Sequence, residues 1–421
     1  MVERVFPVDS NRAATQPSGT MGVRSLDQRT TAPCEFSLSL SPPVSQRERW
    51  AIPLLLLPLA LIVVNLQEAT TGGAYSKTFE NYLWGRIGPI FDTRVLMRWV
   101  LAITWTFSPI ETTAEKIYPF LQWGALWLAL CATFGFARTF LPSCEALLAT
   151  LLTSLWVTWG FLPIGYSMSY PYDLPALMFS ALGLYTITRG EFWLLMAIVG
   201  LGTLNKQTTL WLIPAWALWQ WWLIRAAHGK GGNAEAGEPR RVRVLTRKQL
   251  IASTLGLGGL YFLLYEVPRL VYRMRAPRET RFMPALYFAD WYEGASGLPR
   301  YVVNWRELWC LPRAIHHTNL LQNFQWYALP YLLGLAGWRW LPTPLKLLGV
   351  AALAHFIPTF MVGNIWELRI FNEILPWGAT CAVMVARSLL RPECQIAPVA
   401  RLPEEEAADA PKPAPTPEVR S

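Results

Sequence analysis

Long apolar stretches separated by short polar breaks run through residues 50–390. Several of them approach the roughly 20 apolar residues that one membrane-crossing helix needs. The pattern therefore predicts an all-α fold, a polytopic transmembrane helical bundle of about ten spans. The candidate spans are residues 50–66, 95–107, 120–137, 146–162, 176–187, 192–204, 209–224, 250–265, 326–341, 345–362 and 370–390.

Both ends of the chain are polar. Residues 1–49 have low hydrophobicity and no sustained period, and residues 391–421 carry repeated Pro and a run of three Glu. Segments that cannot bury enough apolar surface stay disordered. We therefore predict a disordered cytoplasmic tail over 1–49, a transmembrane domain over 50–390 and a second disordered cytoplasmic tail over 391–421.

Three polar loops divide the transmembrane domain. The short loop 226–248 is strongly basic, and Arg47 and Arg49 precede the first candidate span. Because cytoplasmic loops carry the excess of Lys and Arg, both features face the cytoplasm. Residues 67–94 then form the first external loop and residues 266–325 a long external loop. The expected location is a multi-pass plasma membrane of the bacterial inner-membrane type, with both termini cytoplasmic.

The span count and the charge bias disagree at one place. If every candidate span crosses, the start of the 176–187 helix faces the cytoplasm, whereas the basic loop requires it to face outside. One candidate between residues 95 and 162 must therefore fail to cross. We favour 95–107, because Arg94 and Arg98 suit it poorly to the bilayer centre. The alternative is a break at residues 160–163.

Composition and charge agree with a membrane protein. The chain is 53% hydrophobic and 15% charged, against roughly 25% charged residues in a soluble domain. The net charge of +9 could indicate nucleic acid, but the basic residues are scattered around the apolar runs. Membrane lipids are therefore the expected partners, and nucleic acid is not. The six Cys show no metal or disulfide spacing. We expect no cofactor; a divalent metal is the alternative, and no ligand spacing supports it.

The polar ends of one predicted helical hairpin are candidates for function. Asp173 opens the apolar run 176–187, and Lys206 closes the run 192–204. The start of the first helix and the end of the second lie on the same membrane face, so we predict that the two side chains form an ion pair. An ionisable residue at this depth is a functional hypothesis by default. The alternative is a structural pair that fixes the hairpin against its neighbours.

With the basic loop inside, carboxylates and arginines converge on the external face. Arginine forks suit phosphate better than Lys does. Arg369 and Glu373 are four residues apart, which places them on one face of an α-helix. Arg369 is either a lipid-phosphate ligand or the partner of Glu373 in a self-contained helix pair. The residues of this face include Glu80, Arg86, Asp92, Arg94, Asp173, Lys206, Glu367, Arg369 and Glu373. The long loop adds an Arg cluster over 269–281, which is either a phosphate clamp or a surface helix against anionic headgroups.

The layout of residues 50–390 resembles the GT-C superfamily of integral-membrane glycosyltransferases. Three segments carry the resemblance: Tyr-Pro-Tyr-Asp-Leu-Pro at Asp173, Gly-Thr-Leu-Asn-Lys-Gln-Thr at Lys206, and Glu-Leu-Arg-Ile-Phe-Asn-Glu-Ile-Leu-Pro over 367–376. A fourth is the loop-to-helix segment over 85–96. The chain departs from the family in two ways: its first loop has isolated acids rather than Asp-x-Asp, and Lys-Gln stands where Lys-Glu is frequent.

The resemblance implies a reaction and a donor. Family members move a sugar from a polyprenyl phosphate to an acceptor on the external face, which implies a polyprenyl-phosphate lipid as partner. Transfer to a hydroxyl needs a base and needs cations for the leaving phosphate. Asp92 or Glu80 would be the catalytic base. The substrate-binding residues would be Arg94, Asp173, Lys206, Glu367, Arg369 and Glu373.

Two other functions stay open. A transporter or flippase-like carrier of a lipid-linked or anionic solute would also have many spans, but carriers often show internal repeats and charges at the midplane. This chain has no convincing repeat, and its charges gather at one face. The second alternative is a non-catalytic membrane subunit that kept the architecture without the paired acids of the first loop.

Overall fold

The computed structural model describes residues 35–38, 45–71, 94–107, 114–161, 172–229, 240–275, 328–362 and 368–390. Glu80, Asp92 and Glu367 lie outside the described residues. Within them the chain is helical apart from two short strands. β1 (Glu35–Leu38) and β2 (Arg240–Arg243) pair antiparallel, with Glu35 opposite Arg243. The predicted all-α architecture is confirmed at the level of a helical bundle.

Eleven α-helices form the described bundle. They are α1 (Gln46–Thr71), α2 (Val95–Thr106), α3 (Ala114–Ala137), α4 (Ser143–Phe161), α5 (Asp173–Arg189), α6 (Phe192–Asn205), α7 (Leu212–Gly229), α8 (Arg247–Arg275), α9 (328–336), α10 (Thr343–Val362) and α11 (Leu375–Leu390). Three 3₁₀-helices lie between them, at Gln207–Trp211, Trp338–Trp340 and Leu368–Ile374. The first helix begins at Gln46, where Ser45 and Glu48 form a reciprocal capping box.

Four helices are long and apolar enough to cross a membrane. They contain the segments Gln46–Gln67, Ile117–Ala137, Arg247–Pro268 and Phe371–Leu390. Large apolar side chains on the outside of the bundle, among them Leu255 and Phe262, are 70% and 62% exposed. Exposed apolar surface on this scale is typical of a protein covered by lipid. The fold is that of a helical membrane protein, and the count of about ten spans stays a prediction.

The course of the chain around α2 bears on the disputed span. Trp123 donates to the Leu57 carbonyl at 3.1 Å and Trp127 to the Pro53 carbonyl at 2.9 Å, so α1 and α3 are antiparallel. The end of α1 and the start of α3 therefore lie at the same end of the bundle. The 12 residues of α2 extend about 18 Å and the 14 residues of α6 about 21 Å, both short of the roughly 30 Å hydrocarbon core. That residues 95–107 do not cross stays a prediction.

Helices α5 and α6 form the predicted hairpin. Gly190 follows α5 in the left-handed conformation (φ 72°). Its N–H donates to the Ile187 carbonyl and the Glu191 N–H to the Thr186 carbonyl, a helix ending that favours glycine. The chain then reverses at once into α6. Asp173 and Lys206 consequently lie at one end of the bundle, which we call the site end. The opposite end, marked by Arg189, we call the basic end.

The helices between these ends are packed tightly at the hairpin. A Cβ atom on Gly202 of α6 would lie 2.4 Å from the Thr209 Cγ2 and 3.2 Å from the Phe179 Cβ. Glycine at this position lets the 3₁₀-helix Gln207–Trp211 lie directly against α6. Trp211 and Trp216 continue this packing and are fully buried. The backbone on both sides of Lys206 is therefore held by close contacts.

Candidate functional site

Lys206 connects two helices at the site end. Its backbone is extended (φ −161°, ψ 135°), between the end of α6 and the start of the 3₁₀-helix Gln207–Trp211. Its N–H still donates to the Gly202 carbonyl at 2.7 Å. The residue is only 5% exposed. This break in helical geometry turns the lysine side chain into the interior of the bundle rather than along the helix surface.

Two carboxylates hold the Lys206 ammonium group. Nζ lies 2.7 Å from the Glu373 Oε1 and 3.4 Å from the Asp173 Oδ1. All three side chains are at least nine-tenths buried. The predicted ion pair between Asp173 and Lys206 is thus present, but Glu373 is the closer partner. We call Asp173, Lys206 and Glu373 the buried ion cluster.

Neighbouring polar groups complete the environment of Glu373. The Thr208 hydroxyl donates to Oε1 at 3.0 Å. The His355 Nε2, on α10, lies 3.6 Å from Oε2, and both side chains are 1% exposed. Sequence reasoning missed His355. An ionisable residue inside the apolar run 345–362 was the signal that could have found it.

Tyr172 connects the cluster to α2 and α6. The Asn205 side-chain amide donates to the Tyr172 carbonyl at 2.9 Å. The Arg94 guanidinium carbon lies 4.0 Å from the centroid of the Tyr172 ring, a cation–π contact. The start of α2 is thereby placed beside the residue that precedes Asp173. Arg94, predicted to bind substrate, does lie next to the cluster.

The charges of the cluster nearly balance. Two carboxylates face one ammonium group, and protonation of His355 would supply the second positive charge. Charges taken out of water need such partners, because an uncompensated buried charge is strongly destabilising. The Lys206 ammonium contacts carboxylates of this chain, an arrangement that holds Asp173 and Glu373 against one another.

The last motif takes a different form from the one the sequence predicted. Leu368–Ile374 is a 3₁₀-helix, with three residues per turn instead of 3.6. Positions 369 and 373 are then rotated by about 120° from one another. The α-helical spacing expected between positions 369 and 373 is therefore absent, and the Glu373 carboxylate contacts Lys206. Tight winding here directs Asn372 and Glu373 into the core, where both are fully buried.

The described residues contain no group of three or more His, Cys, Asp or Glu side chains that could hold a metal ion. Within the cluster, Lys206 and Thr208 bond the Oε1 of Glu373, and His355 lies nearest to its Oε2.

The fold and this cluster define a class: a helical membrane protein with a buried Lys–Asp–Glu network at one end of its bundle. Comparisons with protein-family models, with curated proteins and with solved structures each found no match.

Proposed function

We propose that the protein is a membrane glycosyltransferase that moves a sugar from a polyprenyl-phosphate donor to an acceptor at the site end. The observation that carries the proposal is the buried ion cluster. Asp173, Lys206 and Glu373 come from three separate segments that each resemble a GT-C motif, and they meet within hydrogen-bond distance. A shared motif pattern predicts such a meeting, whereas unrelated sequence matches do not.

The chemistry divides between the cluster and the loops that surround it. The acceptor oxygen attacks the anomeric carbon, and the bond from that carbon to the phosphate oxygen breaks. Asp92 or Glu80 takes the acceptor proton, and the polyprenyl phosphate leaves with the bonding electrons. Arg94, beside Tyr172, would stabilise the charge on the phosphate, together with Arg369. The buried ion cluster positions these segments by fixing α5, α6 and the 3₁₀-helix that carries Glu373.

The charge distribution supports an external site end. Basic side chains far outnumber acidic ones at the basic end. Helices α3, α5, α7 and α11 end there, and α1, α4, α8 and α10 begin there. The described basic residues there are Arg47, Arg49, Arg138, Arg189, Arg225, Arg247, Lys248, Arg339, Lys346 and Arg387, against Glu48, Glu145 and Glu191. Under the positive-inside rule, this excess of basic residues supports a cytoplasmic position for the basic end.

The test is sugar transfer by the purified full chain in nanodiscs. A panel of polyprenyl-phosphate sugars with labelled sugar groups is offered with membrane extract as acceptor source. We expect transfer by the wild type and at least a hundredfold loss for Asp92→Asn or Glu80→Gln, the range of one general base. Arg225→Gln, at the basic end, is the control and keeps the wild-type rate. If both acid variants keep full activity, neither Asp92 nor Glu80 is the catalytic base. If the wild type transfers sugar from none of the donors, the protein is not a glycosyltransferase of this kind.

One observation favours a second candidate, a carrier of an anionic solute. His355 contacts Glu373 in a fully buried position, and chains of His and carboxylates in membrane helices mark proton pathways. A carrier that uses this pathway would acidify or alkalinise vesicles when solute moves. The measurement uses reconstituted vesicles with a trapped pH dye. Solute-dependent proton flux that is lost in His355→Gln supports the carrier. If the wild type shows no such flux, the carrier is excluded.

A further inference from the structure

A second polar feature lies at the basic end, far from the buried ion cluster. A cavity of about 500 Å³ opens there between α1, α3 and α5. Its polar rim consists of Arg49, on the first turn of α1, and Arg189, the last residue of α5. The rest of its wall is largely apolar. The wall residues are Ile52, Pro53, Leu128, Cys131, Ala132, Phe134, Gly135, Leu182 and Tyr185.

The charge of the cavity is positive. Two arginines and no carboxylate line it among the described residues. The Arg189 Nε–H donates to the Glu191 Oε1 at 2.6 Å, and its Nη1–H donates to the Tyr185 hydroxyl at 3.0 Å. These bonds orient the guanidinium but use two of its five N–H donors. The Arg189–Glu191 pair is about 40% exposed on both sides, so it offsets little of the attraction for an anion.

The shape of the cavity suits an amphipathic ligand. Along α3 the wall extends from Gly135 to Leu128, and along α5 from Arg189 to Leu182, about 10 Å in each case. Both walls lead from the charged rim toward the middle of the bundle. Leu128 is 41% exposed, so the cavity opens to the outer, lipid-covered surface. A ligand with a charged head at the rim and an acyl chain along the walls matches this change from charged to apolar lining.

We propose that the cavity between α1, α3 and α5 binds an anionic phospholipid, with its phosphate between Arg49 and Arg189 and one acyl chain against Leu128 and Leu182. Basic pockets between membrane helices bind anionic headgroups on the cytoplasmic side. Guanidinium groups suit phosphate because their planar donors engage two oxygens at once. The bound lipid would connect the first turn of α1 with the end of α5, two segments that meet at this rim.

The test compares phospholipid binding in two charge-matched double variants. Arg49→Gln/Arg189→Gln removes the rim, whereas Arg225→Gln/Arg339→Gln removes two arginines of the same end that lie over Trp221 and Trp340 and do not line the cavity. The full chain is exchanged into detergent with equimolar dioleoyl-phosphatidylglycerol and dioleoyl-phosphatidylcholine. Native mass spectrometry then counts the lipids of each type that stay bound.

We expect the wild type and Arg225→Gln/Arg339→Gln to prefer the anionic lipid. In Arg49→Gln/Arg189→Gln this preference should fall about thirtyfold, because each near-surface arginine contributes about 1 kcal/mol. An equal loss in both double variants would mean general attraction to a basic surface and would overturn the site. Inorganic phosphate is the second arm. If phosphate alone raises the thermal stability as much as phosphatidylglycerol does, the acyl-chain part of the proposal is wrong.

Discussion

At the residue scale, Lys206 is the centre of the site end. Its ammonium group bridges two carboxylates that are 33 and 167 residues away in the chain. Each of these side chains is tolerable in the interior only because the others are present. The extended backbone at Lys206 places the group there, and Thr208 adds a further bond to Glu373.

Removal of the lysine should therefore be costly. We expect Lys206→Met to lower the free energy of unfolding by about 3–5 kcal/mol, because two buried carboxylates lose their counterion. Thermal unfolding in detergent, followed by tryptophan fluorescence, measures the loss. Lys206→Met/Glu373→Gln should recover part of it, because one uncompensated charge is gone.

Arg387→Gln is the control for this measurement. It breaks the 3.4 Å pair with Glu145 at the basic end, where the side chains are 36% and 23% exposed. A partly exposed pair contributes at most about 1 kcal/mol. Equal losses in Lys206→Met and Arg387→Gln would contradict a central role for the buried ion cluster.

At the element scale, the contact between α6 and the 3₁₀-helix Gln207–Trp211 positions the cluster. The chain turns at Lys206 and returns along α6 within one residue. The Thr203 and Thr209 hydroxyls lie 3.3 Å apart across this turn. Because Gly202 has no side chain, nothing separates the two elements. A change of packing here moves the lysine without altering any charge.

Gly202→Ala tests this contact. The new methyl group would overlap the Thr209 Cγ2, and overpacking of this kind costs about 1–3 kcal/mol. We expect a matching fall in thermal stability, with partial recovery in Gly202→Ala/Thr209→Ser, which removes the overlapping methyl and keeps the hydroxyl.

The matched control is Gly256→Ala in α8, where a Cβ would meet nothing within 4 Å. Alanine is the better helix former by up to about 1 kcal/mol, so this variant should be unchanged or slightly more stable. If Gly202→Ala behaves in the same way, the close approach of α6 and the 3₁₀-helix does not hold the turn.

At the scale of the whole molecule, the two ends of the bundle differ in charge and in chemistry. The site end holds the buried ion cluster beside Arg94, and the basic end holds the cavity between α1, α3 and α5 with Arg49 and Arg189 at its rim. This polarity gives the proposed enzyme one face for its substrates and another for the negatively charged leaflet.

Cysteine accessibility in intact cells measures this polarity. On a background without the six native Cys, single Cys residues go to positions 92, 191 and 367. An impermeant thiol reagent should label 92 and 367 in intact cells and 191 only after permeabilisation. Labelling of 92 and 191 from the same side would contradict the two-ended arrangement and with it the shared external site.

The sequence alone determined the class of protein and one contact of the site, between Asp173 and Lys206. In lipid, the backbone N–H and C=O groups of these apolar runs find partners inside α-helices. A tight hairpin brings Asp173 to Lys206 because its two helices are consecutive. Tertiary packing decided the rest. Glu373 and His355 join the cluster from distant segments, and no local period records a contact over 167 residues. The 3₁₀ form of Leu368–Ile374, which directs Glu373 toward Lys206, is likewise set by the buried partners that Asn372 and Glu373 meet.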